Sequence, residues 1–222
     1  MKIEAITVSV NYVSHLQQII SNNKEVDRWI IVTDKDDVLT RFFCRKNKLE
    51  CITTDRLYDG ATFAKGRAIN DGLKYLDKDD WILHIDSDIQ LPENFKSQII
   101  NEVDEKDHLY FCRRYSPDSP IDVDQKRWMT RPPITDELPD LYKCMNQRLG
   151  FDNRIDTNYK PRPFGYFQLW HSSQLTQYSE ESTNADFDDV NTSYHFFPKW
   201  ELLDDLKVLD VNPWDSNWDG IK

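Results

Sequence analysis

The sequence predicts an α/β fold: a mostly parallel sheet with helices on both faces. Three observations carry that expectation. Strand-like and helix-like segments alternate through the first half of the chain. Apolar runs of strand length, such as RWIIVT and WILHI, are bounded by polar turns. The ends of those runs carry acidic residues, Asp34 after the first and Asp86 and Asp88 after the second. In open α/β sheets the carboxyl ends of the strands are where ligands bind.

The elements follow in order. IEAITVSV alternates as a strand, and YVSHLQQIISNN reads as a helix. RWIIVT is the second strand. DDVLTRFFCRKN is a helix with Asp36 or Asp37 as its N-cap, and LECITT is a short third strand. GATFAKGRAINDGLKYL places Ala61, Ala64, Ala68, Gly72 and Leu76 near one helical face, and WILHI is the fourth strand. Strands alternating with helices of this length call for right-handed crossovers. After Arg113 the texture changes. YSPDSPIDVDQKRWMTRPPITDELPD carries five prolines and no clean period, so it reads as a long ordered loop. GYFQLWH is strand-like, NADFDDVNTSYHFF helix-like, and LKVLDV a last strand.

At 222 residues, 39 % hydrophobic and 13 % aromatic, the chain suits a single domain with one sizeable core. No apolar run approaches the roughly 20 residues of a membrane span, and the N-terminus has no cleavage-site pattern. Cys44, Cys51, Cys112 and Cys144 lack C-x-x-C spacing, which predicts reduced thiols and a cytoplasmic location. A net charge of −11 disfavours a protein whose main task is gripping nucleic acid or an anionic membrane. The charge is uneven. Between Arg113 and Arg162 ten Lys/Arg face eight Asp/Glu, so that segment can meet an anionic acceptor or simply be a solvated mixed-charge surface.

The D-x-D spacing occurs five times, at Asp34/Asp36, Asp77/Asp79, Asp86/Asp88, Asp122/Asp124 and Asp186/Asp188. Only Asp86/Asp88 directly ends an apolar strand of the expected sheet. Residues i and i+2 of an extended chain point to the same side, so both carboxylates can aim at one spot. Such a pair needs positive charge. Hard oxygen ligands suit Mg²⁺ or Mn²⁺, held together with substrate phosphates. The plainer alternative is a strand end whose aspartates cap the following turn.

Taken together, AITVSVNY, DRWIIVTDKDD, FAKGRAINDGL, WILHIDSDIQLP, GYFQLWH and NWDG stand in the order and at about the spacing of family-2-like glycosyltransferases of the GT-A fold. The chain resembles small bacterial and phage-type members from Ile6 to Gly220. The resemblance implies one GT-A domain over residues 1–222, with a nucleotide-sugar-binding half (1–112) and an acceptor-binding half (113–222). It implies transfer of a sugar, with inversion, from a nucleotide-diphosphate donor to a hydroxyl acceptor, uridine diphosphate being the default. Val8 to Asn11 and Asp34 would flank the base, with a helix cap as the alternative for Asp34. Lys65 and Asn70 would lie beside the nucleotide, with a solvated helix charge as the alternative for Lys65, and Gly66 would allow close backbone approach. Asp86 and Ser87 would sit on the ribose or metal side, and Asp88 would ligate Mn²⁺ or Mg²⁺ directly. Relatives often place a histidine ligand on the last strand, where this chain has Asp210, itself a competent ligand for a hard cation. Asp189, or Asp188 next to it, would be the base, unless these aspartates only decorate a helix N-terminus.

GYFQLWH is either a sugar-stacking floor or a core strand, with Tyr166, Gln168 and Trp170 on one face. His84 and His171 read as core residues, and Trp214 and Trp218 either pin the C-terminal tail over the site or simply pack. Glycan, lipid carrier, protein and hydroxymethylated DNA base all remain open as acceptors. Two competing functions stand beside this one. A nucleotidyltransferase is disfavoured because no glycine-rich loop follows the first strand. A nucleotide- or glycan-binding module without chemistry draws its support from Asp210.

Overall fold

The computed structural model describes residues 1–117, 119–122, 163, 165–183 and 185–212. Most of the Pro-rich stretch, Cys144, Pro213, Trp214, Trp218 and the closing NWDG lie outside the described residues.

In chain order the strands are β1 (Ile3–Val8), β2 (Arg28–Asp34), β3 (Glu50–Thr54), β4 (Trp81–Ile85), β5 (Ile89–Gln90), β6 (Leu109–Ser116), β7 (Ser119–Asp122), β8 (Phe167–His171) and β9 (Trp200–Asp210). The helices are α1 (Val13–Gln18), α2 (Val38–Asn47), α3 (Lys65–Leu73), α4 (Phe95–Ile99) and α5 (Ala185–Tyr194). One sheet takes the order β3-β2-β1-β4-β8-β6-β9-β5, with β7 paired to β6. The first four strands are parallel, and β8 runs antiparallel between β4 and β6. This is the α/β arrangement the alternation predicts. No helix among the described residues is long and apolar enough to cross a membrane.

The strand side chains alternate between two buried layers. Ile3, Ala5, Trp29, Ile31, Leu83 and Ile85 join one, with Leu16, Cys44, Phe95 and Ile99 from the helices. Ile6, Val8, Ile30, Val32 and Ile82 join the other, under Ala68, Ile69 and Leu73 of α3. The small face of α3 sets how closely it lies. A methyl group on Gly72 would sit 2.9 Å from Val32 Cγ2 and 3.2 Å from Ile6 Cγ2. Ala61, counted on that face, lies ahead of the helix and is half-buried.

The second half departs further from expectation. Residues 109–116, unassigned in the sequence reading, form β6, and the start of the expected loop folds back on it as β7. The last strand begins at Trp200, well before LKVLDV. Its alternation is interrupted by the exposed Asp204 and Asp205, where the pairing with β6 shifts register between Phe111 and Arg113. A bulge absorbs the extra residues and hides the strand from a period-2 reading. GYFQLWH is a core strand: Phe167, Leu169 and Trp170 are fully buried, so no stacking floor is offered there. Tyr166 precedes β8 and packs in the layer opposite Trp170, bonding the Cys112 carbonyl. His84 and His171 are buried, as expected.

Candidate active site

The carboxyl ends of β1, β2 and β4 form one rim. Val8 is buried at the end of β1, and the backbone then turns through exposed Asn11 at φ 59°. The Asn11 amide donates to Asp37 Oδ2 at 2.7 Å. Asp37, rather than Asp36, caps α2 by accepting from the Thr40 amide at 2.9 Å. Burial raises the proton affinity of Asp37, but the bonds from Thr40, Asn11 and Thr33 outweigh it and hold the carboxyl below its ordinary range. Asp34 is not the cap. It is buried at the strand end, with Oδ1 accepting from the Asp36 amide at 2.8 Å.

The acidic pair meets two cations from its own chain. Lys65 Nζ, at the start of α3, lies 2.7 Å from Asp86 Oδ1. Arg114 of β6 lies 3.1 Å from Asp210 Oδ2, with its guanidinium 4.4 Å over the Tyr166 ring. Asp210 reaches the site because it pairs with Ile89, one residue beyond Asp88, and the Val211 amide donates to the Asp88 carbonyl. Ser87 is half-buried between the two aspartates. Asp88 is left with a buried carboxylate oxygen, Oδ1, that has no hydrogen-bond partner. Burial, then Asp86 and Asp210, push its pKa up to about 7, with Arg114 working against them. An orphaned hard oxygen amid converging negative charge fits a divalent cation. The carboxylates of Asp86, Asp88 and Asp210 are not drawn together tightly enough to enclose an ion. Among the described residues such a cluster is formed by Glu105, Asp107 and His108, on another part of the surface.

The candidate bases sit on α5 and have different tasks. Asp188 is fully buried, its Oδ2 accepting from the Gly66 amide and its Oδ1 from the Ser182 amide, each at 2.9 Å. It therefore clamps the first turn of α3 to the loop before α5. Asp189 Oδ2 receives Lys65 Nζ at 3.0 Å, and Oδ1 receives the Tyr178 hydroxyl at 2.6 Å. Burial opposes the charge on Lys65, but Asp189 and Asp86 outweigh it and hold the ammonium above the usual lysine range. One cation thus links the strand-end pair to the candidate base. Asn70 does not reach this rim. Its amide brackets the backbone of Tyr178, donating to the carbonyl at 2.9 Å and accepting from the N–H at 2.7 Å.

Two glycines make this packing possible. A methyl on Gly165 would fall 1.7 Å from the Asp189 carboxyl carbon, and one on Gly66 would fall 1.7 Å from the Ser179 carbonyl oxygen. The second clash is with backbone, which cannot rotate away. Gly66→Ala is expected to destabilise the protein by about 3 kcal/mol or more, read as a lowered midpoint in urea; an unchanged midpoint would contradict this packing.

Arg114 and Tyr178 were absent from the sequence reading. Arg114 lies beyond the last strand that reading assigned in the first half, and Tyr178 sits in SSQLTQYSEESTN, which has no period.

The model of the family described as Glycosyl transferase family 2 matches residues 57–167, half of the chain. Glucosyl-3-phosphoglycerate synthase from Mycobacterium tuberculosis, in complex with Mn²⁺, uridine diphosphate and glucosyl-3-phosphoglycerate, superposes with a TM-score of 0.56 at 14 % identity, over 93 % of this chain and 70 % of that one. Mannosyl-3-phosphoglycerate synthase from Rubrobacter xylanophilus gives 0.54 at 16 %, over 96 % and 67 %. HddC from Yersinia pseudotuberculosis gives 0.53 at 11 %, over 95 % and 93 %. A further mycobacterial structure, at TM-score 0.57 and 13 % identity over 91 % of this chain, is spanned to 66 % of its own length. At these identities the likeness is one of fold. No curated protein matches the sequence.

Proposed function

The chain belongs to glycosyl transferase family 2 and has the GT-A fold, and from that premise we propose a metal-dependent enzyme that moves a sugar from a nucleotide-diphosphate donor to a hydroxyl acceptor with inversion. The observation that carries this reading is the unpartnered Asp88 Oδ1 between Asp86 and Asp210. It asks for a cation bridged to a ligand that brings its own negative charge. The fold neighbour carrying Mn²⁺ and uridine diphosphate supports that choice of metal and donor.

In this reading the donor lies across the carboxyl ends of β1, β2 and β4. Val8 to Asn11 and Asp34 flank the base, and Asp86 and Ser87 face the ribose and the metal. Asp88 and Asp210, with Asp86, would hold Mn²⁺ or Mg²⁺, which would supply Lewis-acid stabilisation of negative charge on the diphosphate. Asp189 removes the acceptor proton as the acceptor oxygen attacks the anomeric carbon from the opposite face. Asp188, both oxygens held by backbone amides, fixes the helix that carries the base. Lys65 contacts Asp86 and Asp189 at once, so donor arrival at Asp86 and the charge on the base are felt by the same ammonium.

A second reading, a nucleotide- or glycan-binding module without turnover, has one observation in its favour: Arg114 already neutralises Asp210. Thermal shift followed by a donor-hydrolysis assay separates the two. Mn²⁺ and uridine diphosphate together, at a hundredfold excess over Kd, are expected to raise Tm by about 5–10 °C, and each alone by much less. No shift with any nucleotide diphosphate and either metal would sink the enzyme and the nucleotide-binding form of the module; a shift without hydrolysis or transfer would favour the module. Glycans, lipid carriers, hydroxyl-bearing proteins and hydroxymethylated DNA form the acceptor panel.

A further inference from the structure

Tyr178 lies on the connection between β8 and α5, outside any regular element, yet is only 1 % exposed. Its hydroxyl carries one proton and has two close acceptors, Gln168 Oε1 at 2.5 Å and Asp189 Oδ1 at 2.6 Å. Gln168 cannot flip to relieve the competition. Its Nε2 donates to the carbonyls of Pro163 and Asp189 at 3.0 and 3.1 Å, and a reversed amide would set oxygen against both. Each arrangement of the hydroxyl therefore belongs to a different protonation state of Asp189. When Asp189 is anionic, the hydroxyl donates to it. When Asp189 carries a proton on Oδ1, the carboxyl donates to the tyrosine oxygen, and the hydroxyl turns to Gln168.

Resting on the reading of Asp189 as the base, we infer that Tyr178 is a positioning residue that holds this carboxyl group in place before and after it takes the acceptor's proton, with Gln168 as the second station for the hydroxyl. In the step itself the acceptor O–H bond breaks and its proton comes to Asp189. The electron pair left on the acceptor oxygen forms the bond to the anomeric carbon. The bond from that carbon to the diphosphate oxygen breaks with its pair. Tyr178 keeps its own O–H bond and only rotates about C–O.

The charged and titratable groups facing Asp189 are Lys65 from α3, Asp86 at the end of β4 and Asp188 on its own helix, while His84 of β4 faces the Tyr178 hydroxyl. Burial raises the proton affinity of Asp189, Asp86 adds to it, and Lys65 and the Tyr178 hydroxyl lower it. His84, buried beside Lys65, is held neutral, with Nδ1 3.4 Å from the Tyr178 oxygen.

The test is Tyr178→Phe, assayed with donor, Mn²⁺ and the acceptor found active. kcat is expected to fall about 10- to 100-fold with donor KM little changed, and the acidic limb of the kcat/KM profile to move to higher pH, because the base loses a bond that favours its anion. Replacing Tyr178 with 3-fluorotyrosine keeps ring and hydroxyl but makes a stronger donor, and the limb is expected to move the other way. If Tyr178→Phe does not fold, the fluorinated protein decides alone. Limbs that stay in place overturn the inference. Full activity in Asp189→Asn would bring down the base assignment itself, whereas an inactive Asp189→Asn beside an unaltered Tyr178→Phe defeats only the role of the tyrosine.

Discussion

Asp189→Asn is expected to lower kcat by about 10²–10⁴, the usual contribution of a general base, while leaving the fold and donor binding intact. The amide fits the same space: its oxygen can accept from Lys65 Nζ and its NH₂ can donate to the Tyr178 oxygen, which turns its proton to Gln168. Lys65 keeps its bond to Asp86, so no buried charge is stranded and stability should change by no more than about 1 kcal/mol. The adjacent aspartate should respond in the opposite sense. Asp188 accepts from two backbone amides, so in Asp188→Asn an NH₂ must face an N–H. That leaves a buried donor without an acceptor, at a cost of about 1–3 kcal/mol. Neighbouring substitutions, one read in kcat and the other in Tm, thus separate chemistry from scaffolding. An Asp189→Asn enzyme retaining most of its rate would remove Asp189 from the mechanism.

What the sequence made legible follows from where the physics is local. The first four strands and their helices announce themselves because each apolar run meets buried layers on both sides of a parallel sheet. The acidic rim was legible for the same reason, since Asp34 and Asp86 follow directly on runs whose ends are set by hydrophobicity. Asp37 as cap is a property of a short stretch, whereas the close approach at Gly66 is to the Ser179 carbonyl, more than a hundred residues later. The partners of the acidic pair were not legible in that way. Arg114 faces Asp210 only because β6 pairs in parallel with β9, nearly a hundred residues later and across a register shift. Tyr178 arrives in the site because Asn70, more than a hundred residues earlier, brackets its backbone. Asn70 itself was placed beside the nucleotide by family resemblance, and its amide is instead engaged by this loop. Long-range pairing decides these positions, and a local period carries no record of it. The positive charge the acidic pair requires is thus partly built in, from Lys65 and Arg114, and the oxygen left over belongs to Asp88.

That oxygen sets a stability effect that depends on pH and on metal. Burial, reinforced by Asp86 and Asp210, raises the pKa of Asp88 from an unfolded value near 3.8 to about 7. Between those values the folded protein binds more protons than the unfolded chain, so the metal-free protein loses stability as pH rises through that window. Three pKa units correspond to about 4 kcal/mol. Asp88 retains some exposure, and solvent screening brings the expectation to about 2 kcal/mol. Asp88→Asn removes the charge but keeps the shape. At pH 8, with chelator present, it should raise Tm by about 4–8 °C over the parent protein; near pH 4, where Asp88 is largely protonated when folded, the two should nearly coincide. Mn²⁺ should reverse the order at pH 8, because a cation stabilises the parent through the carboxylate that the variant lacks. Transfer by the variant should be nearly abolished. A variant less stable than its parent at pH 8 without metal would mean that Asp88 is already satisfied within the protein, and one that still gained stability from Mn²⁺ would place the cation elsewhere. In the proposed site the group that weakens the metal-free protein is also the one assigned to the cation, so binding there would recover the free energy that the unpaired charge costs.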